Sequence, residues 1–135
     1  MRLAAHSWVP PRVLIVDDEL NHRRTLTIGL RLEGFEVEEA CDGAAALDRL
    51  EAASFDVAVV DLMMPGINGL ELARRMRFRH PEVRVLLTSA YHLSARQIER
   101  AAVGAVGFMP KPYQLHELVA FLREKLAEKP ECAIG

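Results

Sequence analysis

Four short apolar runs punctuate the chain: residues 13–16 (VLIV), 57–60 (VAVV), 83–87 (VRVLL) and 105–109 (AVGFM). Each has the length of a strand, and three are rich in β-branched residues. Apolar side chains at nearly every position imply burial on both faces, the condition of a central parallel strand. Residues 35–40 (FEVEEA) alternate instead, which suits an edge strand with one wet face.

Helical spacing fills the gaps. Leu26 and Leu30 lie one turn apart, and Gly34 follows as a C-terminal cap. Residues 44–50 put Leu47 and Leu50 on one face. A third segment starts after Asn68, carries Leu70, Ala73 and Arg77, and ends before Pro81. Ile98, Ala101 and Ala102 mark a short fourth helix. Leu115, Leu118, Val119, Leu122 and Leu126 form the apolar stripe of a fifth. Strands alternating with helices predict an α/β fold, (βα)5, with a doubly wound parallel five-stranded sheet. Ligands in such folds sit beyond the C-terminal ends of the strands. No internal repeat or low-complexity segment is present. The expected domain spans 12–128, between an N-terminal extension at 1–11 and a tail at 129–135.

Bulk properties narrow the chemistry. The 135 residues suit one compact domain. A net charge of −2 supplies no general pull toward nucleic acid or an anionic membrane. Cys41 and Cys132 are far apart, which suits a reducing compartment better than a disulfide framework. The five histidines show no HExxH or similar spacing, which argues against zinc. No apolar run reaches the roughly 18–20 residues of a membrane span, and residues 1–11 make a poor signal peptide. The expected location is the cytoplasm.

The polar residues that end the buried runs are distinctive. The first run ends in Asp17 and Asp18, the second in Asp61, and the third in Thr88 and Ser89; Lys111 follows the last. The fold would bring all of them to one rim. Clustered carboxylates repel, and a divalent cation removes that cost. Oxygen-only donors suit Mg²⁺. A carboxylate nucleophile, a metal, a lysine and a hydroxyl are the parts of a phosphoryl-transfer site.

These segments resemble the response-regulator receiver family of two-component signalling. VLIVDDE (13–19) is similar to its first strand and acidic pair, and DLMMPGINGLEL (61–72) to its DxxMPxxxG segment. LLTSAY (86–91) resembles its switch strand and FMPKP (108–112) its aromatic–x–x–Lys–Pro segment. The likeness covers about residues 12 to 127. It implies a flavodoxin-like sheet of order 2-1-3-4-5. It implies Asp61 as phosphoacceptor, with Mg²⁺ held by Asp18, Asp61 and the Met63 backbone carbonyl, and by Asp17 partly through water. Lys111 would contact the phosphoryl group, and the Lys111–Pro112 bond would be cis. Thr88 and Ser89 compete for the switch hydroxyl. Ser89 lies 28 residues past Asp61 and precedes Ala90, the family's pattern, which favours Ser89 and leaves Thr88 to packing. Phe108 takes the place of the switch aromatic without a phenolic hydroxyl. Tyr91 would shield the acyl phosphate from water.

The implied role is a signalling domain, not an enzyme in the ordinary sense, that catalyses its own phosphorylation and slow dephosphorylation. The implied partners are a sensor histidine kinase or histidine phosphotransfer protein. A downstream protein would read the face of the fourth helix, fifth strand and fifth helix, where a homodimer is also expected to form. Two other readings compete. A binding module that signals by docking alone would have no use for the acids and Lys111. A haloacid-dehalogenase-type phosphohydrolase needs an Asp where Met63 stands. Plainer roles remain for single residues: Asp17–Asp18 as a helix N-cap, and Arg74, Arg75, Arg77 and Arg79 as a solvated helix face.

Overall fold

The computed structural model describes residues 9–90 and 107–127. In chain order its elements are β1 (Arg12–Val16), α1 (Leu20–Leu32), β2 (Glu36–Ala40), α2 (Gly43–Ala52), β3 (Val57–Asp61), α3 (Gly69–Arg79), β4 (Arg84–Ser89), β5 (Gly107–Pro110) and α4 (Leu115–Ala127). The helix expected around Ile98 lies outside the described residues, as does Tyr91. The fifth helix of the sequence pattern is therefore α4 here. The five strands are parallel in the order β2-β1-β3-β4-β5.

The continuous apolar runs are explained by two cores, one on each face of the sheet. Leu14, Val16, Ala58, Val60, Val85 and Leu87 face α2 and α3, where Leu50, Leu72 and Met76 complete the packing. Their neighbours Val13, Ile15, Val57, Val59 and Leu86 face α1 and α4, against Leu26, Leu30, Leu118 and Leu122. Leu30 and Leu118 are fully buried, each contributing about 2 kcal/mol by its removal from water. The edge strand β2 keeps its alternation only at its start, where Glu36 is exposed and Val37 is buried toward α1; Ala40 is buried on the opposite face. Arg31 covers part of this edge by donating to the Val37 carbonyl at 2.8 Å.

Local chemistry fixes the helix ends. Glu19 caps α1, accepting from the amides of Asn21 and His22, so neither Asp17 nor Asp18 serves as its cap. Gly34 follows α1 with φ +99°, the left-handed turn a glycine makes at least cost. Asp42 caps α2 and Asn68 caps α3. Arg74, Arg75, Arg77 and Arg79 are exposed on α3, as a solvated face requires; Arg75 pairs with Glu71 and Arg79 with Glu51. None of the described helices is long and apolar enough to cross a membrane.

Candidate functional site

Alternation along the strands aims the acids. Asp17 continues the Val13–Ile15 side of β1, and Asp61 continues the Val57–Val59 side of β3. The adjacent strands thus end with two carboxylates side by side at the C-terminal rim. Asp18 follows one residue later in the turn into α1 and is exposed, whereas Asp17 and Asp61 are buried. One carboxylate oxygen from each of the three lies within 4.8 Å of the other two.

Lys111 reaches this rim from the far side. The segment after β5 stays locked to β4, because the Lys111 amide donates to the Ser89 carbonyl at 2.8 Å. The Lys111–Pro112 peptide is cis, as the resemblance implies. The Lys111 ammonium then donates to Asp17 Oδ2 and to Asp61 Oδ2, each at 3.1 Å. A single partly buried lysine therefore bridges the two buried acids. The remaining oxygens are also held: the Glu19 amide donates to Asp17 Oδ1 at 2.9 Å, and the Met63 amide to Asp61 Oδ1 at 3.0 Å.

The electrostatics follow from these contacts. Burial alone would raise the Asp17 pKa. The His22 hydrogen bond, the Glu19 amide and Lys111 outweigh it and bring the carboxyl down from 3.8 to about 2. Burial opposes the charge on Lys111, but the bond to Asp17 and the charges of Asp17 and Asp61 hold its pKa above the usual 10.5. Asp17 and Lys111 thus stay ionised throughout the neutral range. Oxygen-only donors, two of them buried carboxylates compensated by one lysine, suit a hard divalent cation such as Mg²⁺.

Ser89 and Thr88 both end β4 and both are buried. Asp61 pairs in register with Thr88, and the Leu62 amide donates to the Thr88 carbonyl at 2.8 Å. Ser89 continues the Val85–Leu87 side of β4. Phe108 of β5 pairs with Leu87 of β4 and packs, half-buried, against that same core. Ser89 and Phe108 therefore share one face of the sheet. The Met63 side chain is 53% exposed, which leaves the loop after Asp61 open to solvent.

Three neighbours, His22, Arg23 and Tyr113, lie outside the motif segments, and a fourth, Gly69, is the glycine that closes the DxxMPxxxG segment. His22 places Nδ1 at 2.6 Å from Asp17 Oδ2. Arg23 donates to the Asp17 carbonyl at 2.7 Å and to Glu39 at 2.9 Å. The Tyr113 ring meets the His22 ring edge-on, with centroids 5.9 Å apart. Gly69, at the start of α3, lies so close to Asp61 that an added Cβ would sit 2.3 Å from the Asp61 carbonyl oxygen. The only available signal for His22 and Arg23 was position, in the first turn of the helix that follows the acidic pair.

The response regulator receiver domain family model matches residues 13–123. The chain belongs to this family. Response regulator MprA of Mycobacterium bovis is 37% identical over 123 residues, which are 90% of this chain and 54% of the relative. The chain thus spans about half the length of the curated relatives it matches. Among solved structures, the receiver fold is similar to a CheY-like receiver protein from Methanospirillum hungatei. That match has a TM-score of 0.81 and 28% identity over 87% of this chain and 94% of the other. It is also similar to response regulator TrrA from Thermotoga maritima, solved in complex with Mg²⁺–BeF. There the TM-score is 0.76 and the identity 33%, over 86% of this chain and 98% of the other.

Proposed function

We propose that this receiver domain accepts a phosphoryl group on Asp61 and relays the signal through a change in packing around Ser89 and Phe108. The observation that carries this reading is the bridge of Lys111 between Asp17 and Asp61, with Asp18 completing the acid cluster. A lone rim lysine is ordinarily solvated. This one is mostly buried against two acids, where it neutralises charge that a phosphoryl group would otherwise add to.

Asp18, Asp61 and the Met63 carbonyl would hold Mg²⁺, with Asp17 acting beside them, partly through water. Bound there, the ion would neutralise negative charge on the transferring phosphoryl oxygens. A lone pair on the Asp61 carboxylate attacks the phosphorus of a phosphohistidine. The P–O bond forms as the P–N bond breaks, and its electron pair returns to the imidazole nitrogen, which takes up a proton. Lys111 exchanges part of its contact with Asp61 for the equatorial oxygens. Ser89 donates its hydroxyl to the acyl phosphate. Phe108 then follows by burying its ring, since it has no hydroxyl to bond. The change is a population shift between two packings, biased by local charge.

The donor is a sensor histidine kinase or histidine phosphotransfer protein in the cytoplasm. The output face, as far as the described residues carry it, is that of β5 and α4, where a second copy or a downstream protein docks. The domain hydrolyses its own acyl phosphate slowly. The test is phosphorylation driven by acetyl phosphate or phosphoramidate with Mg²⁺, in wild type and Asp61→Asn. Wild type is expected to label and the variant to stay blank; equal labelling would overturn the assignment.

A further inference from the structure

The acid cluster is served by one side chain that its motifs do not include. Asp17 Oδ2 takes two side-chain donors, His22 Nδ1 at 2.6 Å and Lys111 Nζ at 3.1 Å. Its Oδ1 takes the Glu19 amide. Lys111 is shared with Asp61, so its hold on Asp17 is divided. Apart from backbone, His22 is the one contact committed to Asp17 alone among the described residues. His22 is itself held: it stands in the first turn of α1, its amide bonds to the capping Glu19, and its ring rests against Tyr113.

We propose that His22 is a positioning residue for the divalent-cation site: its ring N–H fixes the Asp17 carboxylate in the orientation that the cation requires. The proposal rests on the Mg²⁺-dependent phosphoacceptor reading above. The physical reason is preorganisation. A carboxylate fixed by donors before the ion arrives loses little freedom on binding, and groups that orient the ligands of an ion commonly contribute about 10–100-fold to its affinity. Without His22, the only side-chain donor on Asp17 Oδ2 among the described residues is Lys111. The lysine would then be drawn toward Asp17 and away from Asp61, which disturbs both acids at once.

Two substitutions separate positioning from packing. His22→Leu keeps apolar bulk against Tyr113 and removes the donor. His22→Asn loses the ring but keeps an N–H close to the place of Nδ1. The experiment is calorimetric titration of the purified protein with Mg²⁺, alongside thermal melting of each variant without the ion. The expected result is a roughly tenfold weaker affinity in His22→Leu and an affinity near wild type in His22→Asn. In acetyl-phosphate labelling, the His22→Leu defect should vanish at saturating Mg²⁺. Two results would overturn the proposal: His22→Leu binding Mg²⁺ as wild type does, or His22→Asn binding as weakly as His22→Leu while both melt normally. Wild type failing to bind Mg²⁺ would instead remove the phosphoacceptor reading itself, and this proposal with it.

Discussion

Replacing Gly69 by alanine tests whether the turn after β3 sets the place of Asp61. Gly69 is buried, and its amide donates to the Leu62 carbonyl at 3.1 Å. An alanine Cβ would lie 2.3 Å from the Asp61 carbonyl oxygen, 2.7 Å from Leu62 Cα and 2.8 Å from the Asp61 carbonyl carbon. All three are backbone atoms, so no flexible side chain can swing away; β3 or α3 must move. Gly69 does not have a positive φ, so alanine suffers no torsional penalty there. It even gains roughly 0.4–1 kcal/mol by restricting the unfolded chain. Overpacking of a tight site costs about 1–3 kcal/mol, and a backbone clash stands at the upper end. The net expectation is a loss of about 2 kcal/mol. For a domain of this size that is a fall of roughly 6–8 °C in Tm. Because the shift falls on Asp61, Mg²⁺ affinity and labelling rate should drop as well. Gly34→Ala is the control. Its φ is +99° with nothing within 4 Å of the added Cβ, so it should cost only the roughly 1–2 kcal/mol of left-handed strain and leave labelling intact. Thermal melting and acetyl-phosphate labelling of both variants decide the matter. A Gly69→Ala protein as stable and as readily labelled as wild type would refute the reasoning.

Further outcomes follow from the same geometry. Lys111→Met leaves Asp17 and Asp61 buried and facing each other without a cation; denaturant melts should show a loss of about 3 kcal/mol, part of it recovered on adding Mg²⁺. Asp17 is charged in the fold down to about pH 2 but only to 3.8 in the unfolded chain, so its contribution, on the order of 2 kcal/mol, is complete above 3.8 and vanishes as pH falls through about 2. Acid melts of Asp17→Asn should lack that decline. The Tyr113 hydroxyl is buried with no hydrogen-bond partner among the described residues; Tyr113→Phe should be neutral or stabilising by up to about 1 kcal/mol in thermal melts. Burial, then the charges of Asp17 and Asp61, push the Tyr113 pKa above its ordinary 10.0. The folded state therefore keeps a proton that the unfolded chain loses, and stability declines as pH rises past 10.0; the phenylalanine variant should show less of that decline.

The strands were legible because residues buried on both faces leave almost no polar letters in 13–16 and 57–60, and the edge strand because Glu36, Val37 and Glu38 alternate before Ala40 turns into the opposite core. Its limits are equally physical. The apolar run at 83–87 alone stops short of Ser89, because hydroxyls buried at a strand end look like loop residues; the likeness of 86–91 to the switch strand carried the reading to the end of β4. The acids and Lys111 were found because they sit where strands stop, and strand order then brings them together. His22 and Tyr113 approach the same acids from a helix turn and from the segment before α4. Helical periodicity says only that His22 lies off the core stripe, and Tyr113 precedes its helix, so nothing in the pattern singles them out. Glu19 as the cap of α1, in place of Asp17 or Asp18, depends on which of three successive acids faces the free amides. Gly69 reads as a helix-start glycine, and its packing against Asp61 is a tertiary fact.

The most direct measurement of the central claim is to map the modified residue. After incubation with acetyl phosphate and Mg²⁺, reduction by borohydride converts an aspartyl phosphate to homoserine, and peptide mass spectrometry locates the change. The account predicts homoserine at position 61, and none when Mg²⁺ is withheld. Conversion at a different acid, or the phosphoryl group found on a hydroxyl or a histidine with Asp61 intact, would contradict it.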